Sequence, residues 1–184
     1  MKKTIIWLLD ELKRSSVSTA IAALGGVLIL VSPAFADGLM GQASVIDADT
    51  IEIHGARVRF FGVDAPESDQ LCRSKANENY RCGQKASNAL FDFIYRRKVD
   101  CIEVDRDRYN RAVAVCTVDG IDLAELLVKN GLALDWPIYS KRAYEAAQSD
   151  ARRDHLGIWA GSFREPWNYR SCRRQGGTPT SCSD

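Results

Sequence analysis

Histidine is scarce: the 184-residue chain has two, His54 and His155. That scarcity excludes histidine pairs as acid–base partners and any Ser-His-Asp triad. The sequence also lacks a G-x-S-x-G elbow, a Walker-type phosphate loop, C-x2-C spacing, internal repeats and low-complexity tracts. Neither sign of charge dominates, with 25 Lys+Arg against 24 Asp+Glu. Any grip on a polyanion therefore has to come from locally clustered arginines rather than from a global field. The apolar run from Val17 to Val31 is short of the about 20 residues that a membrane span needs.

What stands around that run is a targeting pattern. Lys2, Lys3, Lys13 and Arg14 precede it, and Pro33 with Ala34-Phe35-Ala36 follows, placing small residues where a signal peptidase reads them. Residues 1–36 are expected to be a signal peptide cleaved after Ala36. An uncleaved anchor is the alternative, because the charged leader, with Asp10 and Glu11 inside it, is longer than usual. Cleavage leaves 148 residues, 37–184, the size of one domain with one substantial core. Removing four basic and two acidic residues leaves 21 Lys+Arg and 22 Asp+Glu, a formal charge of −1.

All six cysteines follow the expected cleavage site, and an even count in an exported chain points to disulfides. Pairing of sequence neighbours is expected: Cys72 with Cys82, Cys101 with Cys116 across a hairpin, and Cys172 with Cys182 in the tail. Zinc is the competing use of these cysteines. The missing C-x2-C spacing and the distance of both histidines from any cysteine argue against it.

Ala43 to Ile46, Thr50 to Ile53 and Val58 to Val63 are rich in β-branched and aromatic residues, separated by turn residues, and predict a three-strand meander. Ala86, Ala89, Leu90, Phe93 and Ile94 recur at helical spacing, predicting a helix from Gly83 to Lys98 whose C-terminal end carries Arg96, Arg97 and Lys98. Cys101 to Val104 and Arg111 to Val118 read as a hairpin ended by Asp119-Gly120. Leu123, Leu126 and Leu127 mark a short helix stopped at Asn130-Gly131, and a last helix is expected over Lys141 to His155. This order resembles an α+β OB fold, a five-stranded β-barrel with about three helices, whose face and loops bind oligonucleotides or oligosaccharides. Residues 37–161 are expected to form that domain. The tail, residues 162–184, shows its cysteines and no further signal.

Between Ile46 and Glu67, three carboxylates and one arginine (Asp49, Arg59, Asp64, Glu67) punctuate the strand-like runs. Hard oxygen ligands beside a guanidinium suit a hard cation next to a phosphate, which is the inventory of metal-assisted phosphoryl chemistry. Each residue taken singly also has a plain structural reading. Asp47 and Asp49 suit a β-turn, and Asp64 before Ala65-Pro66 suits an Asx-turn. Arg59, sharing a face with Phe61 and Val63 by alternation, needs a partner such as an internal carboxylate. Arg111, after the turn Arg108-Tyr109-Asn110, suits a solvated hairpin position.

Together, IDADT (Ile46 to Thr50), VRFFGVDAPE (Val58 to Glu67) and DRYNR (Asp107 to Arg111), with NGLA (Asn130 to Ala133) and LGIW (Leu156 to Trp159), closely resemble the staphylococcal nuclease, or thermonuclease-like, family over about residues 42–160. The resemblance implies that Asp49, Asp64 and the backbone carbonyl of Ala65 hold Ca2+, where the family usually has threonine in place of Ala65. It implies that Glu67 is the general base, orienting or deprotonating water, and that Arg59 and Arg111 neutralise the phosphate. It places Arg108, Tyr109 and Tyr139 against the nucleotide. Pro137 stands where the family has a second pocket tyrosine, and Trp136 beside it offers a stacking surface or packs under the last helix.

The resulting expectation is a periplasmic or secreted, monomeric, calcium-dependent hydrolase acting on DNA and RNA with little sequence discrimination. It would leave 3′-phosphate ends, have no stable protein partner, and lose contact with the membrane once the leader is cut. A noncatalytic OB-type nucleic-acid-binding module is one rival. A secreted calcium-binding protein in which Arg59 and Glu67 simply pair is another. N-terminal sequencing of the exported protein is expected to begin at Asp37, whereas material starting at Met1 and retained in membranes would establish the anchor instead.

Overall fold

In the computed structural model, residues 38–183 are described; the expected leader lies outside the described residues. The strands are β1 (Leu39–Gly41), β2 (Ala43–Asp47), β3 (Thr50–Ile53), β4 (Ala56–Phe60), β5 (Val63–Asp64), β6 (Leu71–Arg73) and β7 (Asn79–Arg81). After helix α1 (Cys82–Ile94) come β8 (Val99–Arg106), β9 (Ala112–Val118), β10 (Ile121–Asp122), α2 (Leu123–Lys129) and β11 (Leu134–Asp135). The chain ends with α3 (Pro137–Ser140), α4 (Glu145–Arg153), a 3-10 turn at Gly157–Ala160, α5 (Pro166–Arg174) and α6 (Pro179–Ser183).

The main sheet is seven-stranded, ordered β1-β8-β9-β4-β3-β2 with β10 added to β9, and the fold is α+β of the OB type. The expected meander is β2-β3-β4, antiparallel throughout. His54 and Gly55 both take positive φ, 51° and 81°, as the two-residue β3–β4 connection requires. The β8–β9 hairpin places Cys101 directly opposite Cys116. Disulfides join Cys72 to Cys82, Cys101 to Cys116, and Cys172 to Cys182.

Three elements differ from the sequence expectation. The run Val58 to Val63 is two strands, because Gly62 at φ 73° turns the chain out of the main sheet and β5 pairs with β11. Its apolar face is therefore Val58 and Phe60, both buried, and Arg59 points to the other side instead of sharing a face with Val63. Helix α1 stops at Ile94, four residues early, since Arg96 adopts φ 58° so that buried Val99 can enter β8. The last predicted helix begins only at Glu145, because Lys141 and Arg142 take φ 54° and 68°.

The core lies between the sheet and two helices. Ala86, Leu90 and Ile94, spaced by four along α1, and Leu123 and Leu127 of α2 pack with Ile51, Ile53, Val58, Phe60 and Val118. Each fully buried leucine or isoleucine contributes about 1.5–3 kcal/mol. A second, smaller cluster of Leu134, Ile158 and the Cys72–Cys82 disulfide is covered by Trp159, Phe163 and Trp167. It forms where the NGLA and LGIW segments meet: Ile158 N–H donates to the Gly131 carbonyl at 2.9 Å. A Cβ on Gly157 would lie 2.1 Å from that same carbonyl oxygen, at φ 54°. Gly157→Ala is therefore expected to destabilise the protein by about 1–3 kcal/mol in denaturant unfolding. An unchanged midpoint would contradict this contact.

Candidate active site

Asp49 closes the turn between β2 and β3, and its carbonyl accepts from Phe60 N–H at 2.8 Å, which fixes the turn against β4. Arg59 on β4 and Asp64 on β5 then face the same space. Asp64 is delivered by the β5–β11 ladder, where it pairs with Leu134. The following loop is tightened by Gln70, whose N–H donates to the Glu67 carbonyl at 2.8 Å and whose side-chain oxygen accepts from Glu67 N–H at 3.2 Å. The start of α1 presses on this loop so closely that a Cβ on Gly83 would stand 1.9 Å from the Glu67 carbonyl oxygen. Only glycine fits there.

The structure brings Asp49, Arg59, Asp64 and Glu67 into one hydrogen-bonded cluster. Arg59 Nη2 lies 2.9 Å from both Asp49 Oδ2 and Asp64 Oδ1. Asp49 also accepts from Thr50 Oγ1 at 2.9 Å and from Ala65 N–H at 3.4 Å. Glu67 does not pair with Arg59. Its partner is Arg170, from α5, whose Nη1 donates to Glu67 Oε1 at 2.8 Å and to Asp64 Oδ1 at 2.9 Å, while Nη2 donates to Asp64 Oδ2 at 2.7 Å. Sequence reasoning missed Arg170, and its only cue is helical spacing from Trp167 just ahead of Cys172.

Asp64 is 0% exposed, and a buried carboxylate needs charged partners. Burial pushes both Asp64 and Glu67 up from the usual carboxylate range, against the hydrogen bonds from Arg170 that pull them down. Burial opposes the Arg170 charge, but Asp64 and Glu67 outweigh it and hold the guanidinium more firmly protonated than usual. With both Asp64 oxygens taking guanidinium hydrogens, the pair stands as carboxylate and guanidinium.

Arg111 is not in hydrogen-bond contact with this cluster. Its Nε donates to Asp107 Oδ2 at 2.7 Å, and its N–H to Asp107 Oδ1 at 3.0 Å. Burial alone would raise the Asp107 carboxyl, but these bonds and one from Tyr109 N–H hold it below its ordinary range. Burial first and Asp49 second raise the Asp47 carboxyl, against the charges of Arg59 and Arg111, which pull it down. Arg108 and Arg111 lie over the Tyr109 ring at 4.8 and 5.7 Å, and that ring is 65% exposed.

Trp136 does reach the cluster. Arg59 and Arg170 sit over its ring at 6.0 and 5.7 Å, Tyr139 meets it edge-on at 4.5 Å, and Trp167 of α5 stacks on it at 5.9 Å. Trp136 therefore packs against the tail helix α5. Tyr139 remains 56% exposed beside it.

The donor chemistry fits a hard divalent cation. Asp49 and Asp64 present oxygens close enough to share one guanidinium nitrogen, and Ala65 follows with a main-chain carbonyl. Among the described residues no three side chains of His, Cys, Asp or Glu form a ligand shell.

Residues 57–161 match the family described as Staphylococcal nuclease homologue. The chain is 40% identical over 151 residues to the succinoglycan biosynthesis protein ExoI of Rhizobium meliloti, covering 81% of this chain and 79% of that protein. It is 29% identical over 176 residues to the micrococcal nuclease of Shigella flexneri, covering 85% and 95% respectively. It is 30% identical over 177 residues to the protein ParB of Escherichia coli, covering 86% and 93%. With that match across more than half its length, the chain belongs to the staphylococcal nuclease family.

Proposed function

We propose that this nuclease is an exported, calcium-dependent phosphodiesterase that cleaves DNA and RNA with little sequence discrimination and leaves 3′-phosphate ends. The observation that carries this reading is the convergence of Asp49, Arg59, Asp64 and Glu67 on one hydrogen-bonded cluster. Asp49, Asp64 and the Ala65 carbonyl would hold Ca2+, which supplies polarisation of the phosphate and charge neutralisation. Glu67, raised by burial and so a better proton acceptor than an exposed carboxylate, orients a water and takes its proton. The water oxygen attacks phosphorus in line, the P–O5′ bond breaks, and the O5′ leaving group takes a proton from solvent, leaving a 3′-phosphate and a 5′-hydroxyl.

Arg59 is already held at the cluster and forks onto the developing charge, which guanidinium does bidentately at any working pH. Arg111 swings from Asp107 to meet the phosphate from the β8–β9 side. Arg108 and the exposed rings of Tyr109 and Tyr139 would meet the nucleotide, the rings stacking bases without reading them, while Trp136, covered by Trp167, would support Arg59 from behind. Phosphate contacts carry no sequence information, in keeping with broad substrate use. Three disulfides support an enzyme of the periplasm or the cell exterior.

Arg59→Ala and Arg111→Ala are each expected to lose about 10²-fold or more in turnover while the folded state persists in circular dichroism. Near-wild-type turnover in both would remove them from the chemistry. Calcium at about 100 times its Kd is expected to add about 2.7 kcal/mol by mass action and raise Tm by several degrees. An unchanged Tm at saturating calcium would contradict cation binding at the carboxylate loop.

A further inference from the structure

On the cation-dependent reading proposed above, we infer that Arg170 is a built-in cation that competes with the divalent ion for Asp64, so that helix α5 sets the affinity of the metal site. Asp64 Oδ1 accepts from both Arg59 Nη2 and Arg170 Nη1, at 2.9 Å each, and Oδ2 accepts from Arg170 Nη2 at 2.7 Å. A carboxylate oxygen offers two lone pairs, so Oδ1 is saturated. A cation ligated through Oδ1 must displace a guanidinium hydrogen, and one ligated through the remaining lone pair of Oδ2 sits against the like charge of Arg170. Arg59 also bridges to Asp49 and belongs to the sheet, whereas Arg170 reaches in from outside it, which makes Arg170 the group that gives way.

Arg170 is held in place from several directions. The neighbouring Tyr169 is 1% exposed, and its hydroxyl donates to Asp69 Oδ1 at 2.8 Å, while Arg173 lies 3.4 Å from Asp69 Oδ2. The Cys172–Cys182 disulfide ties α5 to α6, where Ser183 Oγ accepts from Leu71 N–H at 2.9 Å. Upstream, Gln70 Nε2 donates to the Arg164 carbonyl at 2.6 Å. The hydrogen bonds and the ion pair among these anchors fall on Asp69, Gln70 and Leu71, in the loop that follows Asp64. The tail thus grips the carboxylate loop along its length and places one guanidinium in its centre, over Trp136, which Trp167 of the same helix covers.

The test is calorimetric titration of CaCl2 into the purified exported protein, without nucleic acid, comparing wild type with Arg170→Gln and Arg170→Lys. Arg170→Gln is expected to bind calcium at least tenfold tighter, which is about 1.4 kcal/mol. Arg170→Lys keeps the charge but loses the fork, and is expected to fall between the two. The calcium concentration for half-maximal DNA cleavage should shift in the same order. Near-UV circular dichroism identifies folded variants, and Arg170→Lys carries the test alone if Arg170→Gln does not fold. Calcium binding to wild type with no gain in either folded variant would overturn the competition while leaving the metal site standing. Calcium binding to none of the three would overturn the competition together with the cation reading.

Discussion

A carboxylate with no access to solvent has to be paired with charge, and Asp64 is such a group. Much of the architecture around the site serves that pairing. Gly62 turns the chain off the main sheet, β11 receives it as β5, and Asp64 is thereby carried under Arg59 from one side and Arg170 from the other. The same two guanidinium groups draw Asp49 and Glu67 alongside, so three acidic side chains share one small volume without expelling one another. Removing either arginine would leave buried negative charge uncompensated, and that electrostatic demand is what a divalent cation can also meet.

The scaffold holds the acidic loop from both faces. On the inner face, α1 begins against the Glu67 carbonyl, where glycine alone fits, and the helix then buries Ala86, Leu90 and Ile94 in the core. On the outer face, α5 and α6 lie along residues 64–71 through Arg164, Tyr169, Arg170 and Ser183. The Cys72–Cys82 and Cys172–Cys182 bonds each close a separation of ten residues at these two contacts. The hairpin carrying Arg111 is tied separately, by Cys101–Cys116 and by Asp107.

Much of this was legible in the chain itself because it is local. The β2–β3–β4 meander, the β8–β9 hairpin and the stop at Asn130-Gly131 are written in alternation and in turn residues a few positions apart. The cluster of Asp49, Arg59, Asp64 and Glu67 could be anticipated because all four lie within about one meander of each other. What was not legible is non-local. Nothing in VRFFGVDAPE shows that β11 captures Val63 and Asp64, so alternation alone reads one continuous strand with Arg59 on the face of Phe61 and Val63. Arg96, Arg97 and Lys98 read as a favourable helix end, but the need to bury Val99 in β8 ended α1 sooner. Arg170 meets Asp64 across 106 positions, and a tail rich in arginine gives no reason to choose that one.

Cleavage of single-stranded DNA by the purified exported protein, with calcium or with excess chelator and with Glu67→Gln in parallel, bears most directly on the claim that these residues perform phosphodiester hydrolysis. The account predicts cleavage with calcium, none with chelator, and little from Glu67→Gln. A folded, disulfide-intact protein that binds the DNA but cleaves none at any calcium concentration would contradict it and leave an OB-type binding module built on a nuclease's residues.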